Sequence, residues 1–263
     1  MRTDLETLHV ERTDDDVLVV TLNRPEVRNA KNTAMGIEQK ELFEGLYVDT
    51  EGVRCVVLTG KGDAFCAGGD LKERKGMTDQ EWQKQHAIFE QGVLALRMCP
   101  VPVIAAVNGP AFAGGCEMVL TCDFAYASTT ARFALTEVTL GIMPGAMGTQ
   151  NLPHAVGERR AKEIILTGRP ISAEEAFNWG LVNRLCEPEK LMDEVMDTAR
   201  KIASNAPQSV MRAKRSISVA TQIDRFNGFQ FELEAYNRLV PLEDRQEGIN
   251  AFNEKRKPQY KGR

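Results

Sequence analysis

The amino-acid sequence predicts an α/β fold that ends in a helical region. Three observations support this prediction: short segments rich in β-branched residues, amphipathic segments that alternate with them, and a run of helical segments without strands after about residue 187. Strands that alternate with helices are typical of α/β proteins. A chain of 263 residues is long enough to bury such a core without disulfides or metals.

The predicted strands are apolar segments that end at turn-forming residues. They are residues 17–23, 53–60, 103–108, 123–128 and 181–185. The first ends before Pro25 and the third before Gly109-Pro110, because proline and the residue before it disfavour a continued regular element. The second strand ends at Gly60.

The predicted helices carry apolar residues at a spacing of three and four. They are residues 33–47, 80–98, 159–167, 173–179, 191–203, 207–220, 226–239 and 242–255. Trp82, His86 and Phe89 share one face of the second helix, for which ordinary core packing is favoured over the lining of a pocket. Residues 1–200 are predicted to form the core and residues 201–263 a helical region that packs against a neighbouring subunit. No Gly/Ser-rich linker separates the two, so the helical region is predicted to be an appendage and not an independent domain.

Composition excludes several classes of protein. The formal net charge is −4, which does not favour nucleic acid as a partner, although residues 255–263 are locally basic. Six cysteines form no C-x-x-C pair and three histidines lie far apart, so we expect reduced thiols and no metal site. Residues 1–16 lack the apolar segment of a secretory signal, and no apolar run reaches membrane-spanning length. We therefore expect a cytoplasmic protein.

Three glycine-rich turns mark a candidate site. They are residues 64–72 (AFCAGGDLK), 108–117 (NGPAFAGGCE) and 141–150 (GIMPGAMGTQ). The first two follow a strand and open a helix, where backbone N–H groups have no intrahelical acceptor. One such turn is more often only a tight turn, but two loops that each supply an N–H donor are what an oxyanion hole requires. The phosphate-loop motif and the G-x-S-x-G motif of serine hydrolases are absent.

Two carboxylates lie beside these turns in apolar surroundings. Glu117 follows the second glycine turn, and Glu137 lies in the segment FALTEVTLG. Either could merely offset a helix dipole, but buried carboxylates with shifted pKa values also serve as general acids and bases. Together they suggest a site that moves protons next to a stabilised oxyanion.

These motifs resemble the enoyl-CoA hydratase/isomerase family, also called the crotonase family. The resemblance covers nearly the whole chain and includes LNRPEVRNA from residue 22, AFCAGGDLKER from residue 64, VNGPAFAGGCEMVLTCDF from residue 107 and FALTEVTLGIMPGAMGTQ from residue 133. It implies a crotonase-type spiral of ββα turns with a C-terminal helical region that drives trimer formation, as a homotrimer or a dimer of trimers (a hexamer).

The resemblance also implies roles for individual residues. The amides of Gly69 and Gly114 match the oxyanion hole, Glu117 and Glu137 match the two carboxylates of hydratases, and Gly145 matches a position near the catalytic water. Coenzyme A is part of the substrate, and no other cofactor is expected. The residues that match the coenzyme A contacts are Arg28, Ala67, Asp70, Leu71, Lys72, Phe252 and Lys255, the last two often from the adjacent subunit.

The implied activity is the reversible hydration of a 2-enoyl-CoA thioester. An enoyl-CoA isomerase or another acyl-CoA enolate reaction is the enzymatic alternative, and retention of Glu117 favours the hydratase. An RNA-binding family member is the alternative outside catalysis, and the acidic net charge argues against it. A structural member without activity is a third option, against which both glutamates count.

The sequence departs from the family pattern at four positions that put the acyl specificity in question. Lys31 replaces the usual leucine, Ala113 a common glycine, and Asn151 a common arginine. Met147 interrupts a glycine-rich run, and we expect it to narrow the acyl pocket. Cys66 and Cys116 lie beside the site, and both are predicted to be packing residues. Neither cysteine is therefore expected to act as a nucleophile.

Overall fold

The fold is built on a six-stranded sheet in the order β1-β2-β3-β4-β6-β9, within a computed structural model that describes residues 5–263. All strand pairs in it are parallel except β1–β2. Its strands are β1 (Leu8–Arg12), β2 (Val17–Leu22), β3 (Cys55–Gly60), β4 (Val103–Val107), β6 (Phe124–Ser128) and β9 (Arg184–Cys186). The structure thus confirms the predicted α/β class.

A second, three-stranded sheet follows the carboxyl ends of the first. Its order is β5-β7-β8, and its strands are β5 (Ala111–Phe112), β7 (Arg132–Ala134) and β8 (Ile171–Ser172). The chain passes from β4 to β5 and from β6 to β7, so successive turns of the chain contribute to both sheets. Isolated bridges from Lys31 to Gly69 and from Cys66 to Ala111 extend the second layer towards the glycine turns.

Helices cover the sheets. They are α1 (Thr33–Val48), α2 (Leu71–Arg74), α3 (Asp79–Arg97), α4 (Gly114–Thr121), α5 (Gly148–Val156), α6 (Glu158–Thr167), α7 (Ala173–Trp179), α8 (Leu191–Ala203), α9 (Pro207–Ala220), α10 (Arg225–Asn237) and α11 (Glu243–Asn253). The start of α3 shows why the sequence begins a helix there: Thr78 and Glu81 form a reciprocal capping box. Short 3-10 helices at Pro25–Val27, Glu137–Leu140 and Pro188–Lys190 link other elements.

The core lies on both faces of the large sheet. Every residue of β3 is buried, as expected for a parallel strand that is covered on both sides. One face packs under α1, α3 and α4 with Phe43, Phe65 and Phe133 fully buried, and α8 closes the other face through Val195 and Ala199. This frame holds the carboxyl ends of the strands, where the glycine turns begin.

Most predicted elements are confirmed, and the errors have physical causes. Helices α7, α8 and α9 occupy the predicted residues. The strand predicted at residues 181–185 is present but begins later, at Arg184–Cys186, because Leu181 and Val182 are buried in the turn after Gly180. The edge strand β1 was missed because its alternating polar residues give no apolar run.

The division at residue 200 falls inside α8, which packs against the large sheet, and the two-part organisation stays a prediction. Residues 1–4, which belong to the predicted core and to the N-terminal segment discussed above, lie outside the described residues. In the part of the chain that is described, no helix is long and apolar enough to cross a membrane.

Candidate active site

A cavity of about 530 Å³ lies where the glycine turns meet α3, α4 and the loop before α5. It is bounded by Lys31, Ala67, Gly69, Leu71, Arg74, Trp82, His86, Phe89, Val93, Ala113, Gly114, Glu117, Met118, Thr136, Glu137, Leu140, Ile142, Met143, Pro144, Gly145 and Ala146. The inner residues Phe89, Val93 and Met118 are buried, whereas Leu71 and Met143 at the mouth are exposed. The cavity is therefore largely apolar and runs from an exposed mouth to a buried, closed end beside Phe89 and Val93.

The first two glycine turns touch each other at this cavity. A Cβ atom added to Gly68 would lie 2.9 Å from Cβ of Ala113 and 3.5 Å from the amide nitrogen of Gly114. The chain holds them together through the backbone, because the amide of Phe112 donates to the carbonyl of Cys66 at 2.9 Å. Only residues with small or absent side chains permit this approach.

Two backbone amides at this contact have no acceptor among residues 5–263. The bridge to Lys31 uses the carbonyl of Gly68 and the amide of Asp70, and so leaves the Gly69 N–H unpaired. Gly114 is the first residue of α4, where an N–H has no intrahelical partner. Both glycines line the cavity. Two such donors, with the positive end of a helix dipole, are suited to hold an oxyanion.

Ala113 turns the chain into α4 with φ 48° and ψ −123°, a conformation that glycine adopts far more readily than alanine. It is one of the four predicted departures from the family pattern, and the structure shows that the backbone keeps a glycine-like conformation there.

Glu117 projects from the first turns of α4 into the cavity. Its side chain is buried, and Oε1 accepts hydrogen bonds from the amides of Ala146 at 2.8 Å and Gly148 at 2.9 Å. Burial raises the pKa of Glu117, and these two amides and the nearby His86 and Lys31 oppose that rise. The carboxylate is therefore held in one orientation by donors that favour its ionised form.

Glu137 begins the 3-10 helix Glu137–Leu140 and is 6% exposed. Its Oε2 atom is buried and accepts no hydrogen bond from the described residues. Burial, with a smaller contribution from the charge of Glu117, raises the pKa of Glu137 to about 7. A hydrogen bond from the backbone amide of Glu137 itself opposes this rise. A carboxyl group with one oxygen free of donors and a pKa near neutrality is suited to carry and release a proton.

The two glutamates thus have different environments in one cavity. Glu117 receives two backbone hydrogen bonds and Glu137 receives none from another described residue, so the proton that the pair retains at neutral pH belongs on Glu137. Such an arrangement provides a base and an acid at the same time.

One face of α3 forms a wall of the cavity, which corrects the prediction that it is ordinary core. Trp82, His86 and Phe89 all line the cavity. The guanidinium of Arg74 stacks on Trp82 at 4.2 Å and its Nε donates to Gln85 at 2.8 Å. Sequence spacing identified the shared face, but which neighbour it meets depends on how α3 packs.

The loop before α5 contains two residues for which a position was predicted, Gly145 and Met147, and the outcomes differ. Gly145 lines the cavity as expected, and a Cβ atom there would lie 2.7 Å from the His86 ring. Met147 does not line the cavity, so the prediction that it narrows the pocket was wrong. It caps α5 with φ 72°, and the large apolar side chains that line this part of the cavity are Ile142 and Met143.

The predicted coenzyme A contacts are only partly brought together. Ala67 and Leu71 line the mouth of the cavity. The carboxylate of Asp70 is turned away, because it accepts from the amides of Lys72 and Glu73 and pairs with Arg24 at 2.9 Å. Its side chain thus serves to start α2, a role that sequence reasoning missed.

The remaining predicted contacts lie outside the cavity lining. Arg28 and Lys72 are exposed near its mouth, and the carbonyl of Arg28 accepts from the amide of Ala67 at 3.0 Å. Phe252 and Lys255 lie at the end of α11, and Phe252 is 84% exposed. A single chain does not bring these two residues to the site.

Lys31 is a cavity residue that the sequence prediction noted only as a departure. Its side chain is buried and its Nζ lies 4.8 Å from the centre of the Phe89 ring. The signal that could have identified it was a lysine where the resembling family has leucine. Cys66 and Cys116, in contrast, are fully buried, and burial raises the pKa of both thiols, as expected for packing residues.

Among the described residues, no group of three or more histidine, cysteine, aspartate or glutamate side chains is placed to hold a metal ion.

The fold is that of crotonase-type enzymes, because a crystal structure of an enoyl-CoA hydratase from Bacillus anthracis superposes with a TM-score of 0.95 at 42% identity, covering 98% of this chain and 100% of that one. The family model described as enoyl-CoA hydratase/isomerase matches residues 12–263, and the chain belongs to that family. A short-chain-enoyl-CoA hydratase from Clostridium acetobutylicum is 42% identical over 92% of each chain. A crotonyl-CoA hydratase from Syntrophomonas wolfei is 36% identical over 94% of this chain and 95% of its own.

Proposed function

We propose that this protein is an enoyl-CoA hydratase that adds water reversibly across the 2,3 double bond of an enoyl-CoA thioester. The observation that carries the proposal is the presence of two differently tuned carboxyl groups beside two unpaired amides in one cavity. Relatives named as hydratases support it, at 36–42% identity. Hydration of this kind is a step of fatty acid metabolism.

The proposed reaction begins with the thioester oxygen between the amides of Gly69 and Gly114. A water molecule held by Glu117 and Glu137 attacks the β-carbon, and Glu117 accepts one of its protons. The π electrons move to the thioester oxygen as an enolate, which the two amides stabilise. The enolate then collapses as its α-carbon takes the proton of Glu137, and the product carries hydroxyl and hydrogen on adjacent carbons.

Both carboxyl groups are required for this scheme, which is why hydration is favoured over isomerisation. An isomerisation only moves one proton between carbon atoms and needs one acid–base group. Glu117, held by two amides, has no assigned task in such a reaction. The pair therefore fits addition of water.

The coenzyme A part of the bound substrate is proposed to lie at the mouth of the cavity, over Ala67 and Leu71. Arg28 and Lys72 are exposed close by and can meet its phosphates. Phe252 and Lys255 are proposed to reach coenzyme A from an adjacent subunit. No further cofactor and no nucleic acid is part of this proposal, and the setting is proposed to be the cytoplasm.

A homotrimer, or a dimer of trimers, would bring these residues to a neighbouring site. Helices α9 and α10 contain no buried residue in the single chain. Large apolar side chains of α10 are exposed, including Phe226, Phe229 and Tyr236. An exposed apolar surface of this kind is typical of a subunit interface.

The test is the loss of ultraviolet absorbance of the conjugated thioester when the protein meets crotonyl-CoA. We expect the wild type to be active, and Glu117→Gln and Glu137→Gln each to lose about 10²–10⁴ in kcat. Glu174→Gln, on the exposed face at the start of α7, is the matched control and should retain full activity. A wild type that binds crotonyl-CoA without changing its absorbance would refute the proposal for this substrate.

A further inference from the structure

A cation lies at the closed end of the cavity. Lys31 is 5% exposed, whereas Leu71 and Met143 at the mouth are 50% and 62% exposed. Burial lowers the pKa of Lys31 to about 8, and the nearby Cys66 and Glu117 act in the opposite direction. The ammonium is therefore largely protonated at neutral pH, although it is buried inside the fold.

Helices α1 and α3 leave room for this side chain. A Cβ atom added to Gly92 would lie 3.7 Å from Nζ of Lys31, and one added to Gly36 would lie 2.7 Å from the Phe89 ring. Nζ lies 4.8 Å from the centre of that ring, which favours a cation in this position. The lysine is thus accommodated inside the fold and does not extend to solvent.

The surroundings of Lys31 supply more donors than acceptors. Nζ donates to Oε1 of Gln39 at 2.8 Å, and no other described residue accepts from it. The Nε2 group of Gln39, a residue that is 1% exposed, is buried without an acceptor. An ammonium has three N–H donors and an amide two, so most donors of this pair are unpaired. No carboxylate of residues 5–263 forms an ion pair with Lys31.

Buried donors without acceptors are unfavourable, because they lose their hydrogen bonds to water and gain none in the protein. A ligand that brings oxygen atoms to the closed end of the cavity removes that penalty. A carboxylate fits best, because it accepts several hydrogen bonds and neutralises the ammonium. A terminal methyl group offers neither.

We propose that the cavity selects enoyl-CoA thioesters whose acyl chain ends in a carboxylate, which Lys31 binds at the closed end. The inference rests on the proposed function for the direction of the substrate. With the thioester at Gly69 and Gly114, coenzyme A is too large for a cavity of about 530 Å³ and extends through the mouth. The acyl chain then points inward to Lys31.

The test compares pairs of enoyl-CoA substrates of equal chain length, one ending in a carboxylate and one in a methyl group, over a series of lengths. We expect the wild type to have the higher kcat/KM for the carboxylate at one or more lengths. Lys31→Met keeps the apolar stem and should lower kcat/KM for that substrate by about a hundredfold, as for loss of one partner of a buried charge pair. The methyl-ended partner should change far less.

Two further variants keep the inference open to refutation. Gln39→Glu gives Lys31 an internal carboxylate partner and should also abolish the preference, while the lysine remains. Arg74→Gln removes the other cation of the cavity, which lies beside Gly69, where an added Cβ would be 3.3 Å from the guanidinium carbon. Since the thioester is common to both substrates, Arg74→Gln should affect both alike.

Several outcomes overturn the inference. These are a wild type without preference for the carboxylate, equal losses on both substrates in Lys31→Met, or an Arg74→Gln variant that loses the preference as fully as Lys31→Met. Binding of saturated analogues, which cannot be hydrated, separates this inference from the proposed function. If the carboxylate analogue binds more tightly in a Lys31-dependent way but no enoyl-CoA is hydrated, the carboxylate selection is supported and the proposed hydratase activity is refuted. If enoyl-CoA is hydrated but the carboxylate analogue binds no more tightly, the hydratase activity is supported and the carboxylate selection is refuted.

Discussion

Replacement of Glu137 by glutamine should remove an acid and, at alkaline pH, stabilise the protein. The carboxyl group is 6% exposed, Oε2 has no hydrogen-bond donor, and its pKa is raised from 4.5 to about 7 in the folded chain. Because each unit of pKa corresponds to about 1.4 kcal/mol, ionised Glu137 lowers the free energy of unfolding by about 3 kcal/mol. Glutamine has nearly the same shape and cannot ionise.

The sign follows from proton binding. The folded pKa lies above the unfolded one, so the favourable contribution is fully present below pH 4.5, where both states carry the proton. Between 4.5 and about 7 the unfolded chain loses its proton first, and the folded state loses stability as pH rises. Above about 7 this loss of stability is complete. The free energy of unfolding of Glu137→Gln, compared with that of the wild type, should therefore be about 3 kcal/mol more favourable at alkaline pH than at acid pH.

The assay is urea unfolding at acid and alkaline pH, at one fixed protein concentration because association also contributes to stability. Glu174→Gln, an exposed change of the same chemistry, serves as the control and should follow the wild type at both values. The same Glu137→Gln protein should have lost most of its hydratase activity. A wild type and a Glu137→Gln variant with parallel pH dependence of unfolding would refute the burial of an unpaired acid at this position.

Two further predictions concern the backbone around the cavity. Ala113→Gly should stabilise the protein by about 1 kcal/mol in urea unfolding, because φ 48° is strained for alanine, whereas Ala213→Gly within α9 should destabilise it by about as much; equal effects of the two changes would contradict this reasoning. Gly145→Ala should lower kcat/KM by about tenfold to a hundredfold, since its Cβ would lie 2.7 Å from His86, and an added His86→Ala should restore part of the loss. Gly45→Ala in α1, where a Cβ meets nothing within 4 Å, should leave the kinetics unchanged, and a Gly145→Ala enzyme with wild-type kinetics would show that the loop yields without consequence.

Asp70 shows that a match to a family motif does not by itself give the role of a side chain. The position fits a family strip along coenzyme A, but the carboxylate is used within the protein: it caps α2 and pairs with Arg24. Arg24 in turn donates to the carbonyl of Ala30, which precedes Lys31. Asp70 therefore fixes the segment that carries Lys31 into the cavity, and a sequence pattern has no means of distinguishing such a role from ligand contact.

The features that the sequence by itself determined are local ones. Apolar β-branched segments that end at glycine or proline defined the main strands, and the spacing of apolar residues defined α7, α8 and α9. The two glycine turns and the pair Glu117 and Glu137 were identifiable because a glycine pair after a strand and a carboxylate among apolar residues are unfavourable unless they are used. The crotonase fold followed from ordered motifs along nearly the whole chain.

Only the tertiary structure decided which of these groups face one another. Whether α3 presents Trp82, His86 and Phe89 to core or to cavity depends on its packing against α1, and the local sequence is the same in either case. Met147 was misplaced for the same reason, since its left-handed backbone turns it away from the pocket. Lys31 became a cavity residue because a bridge to Gly69 and the close approach of α1 and α3 enclose it. Burial and charge pairing are properties of contacts between distant segments, and these contacts form only when the chain folds.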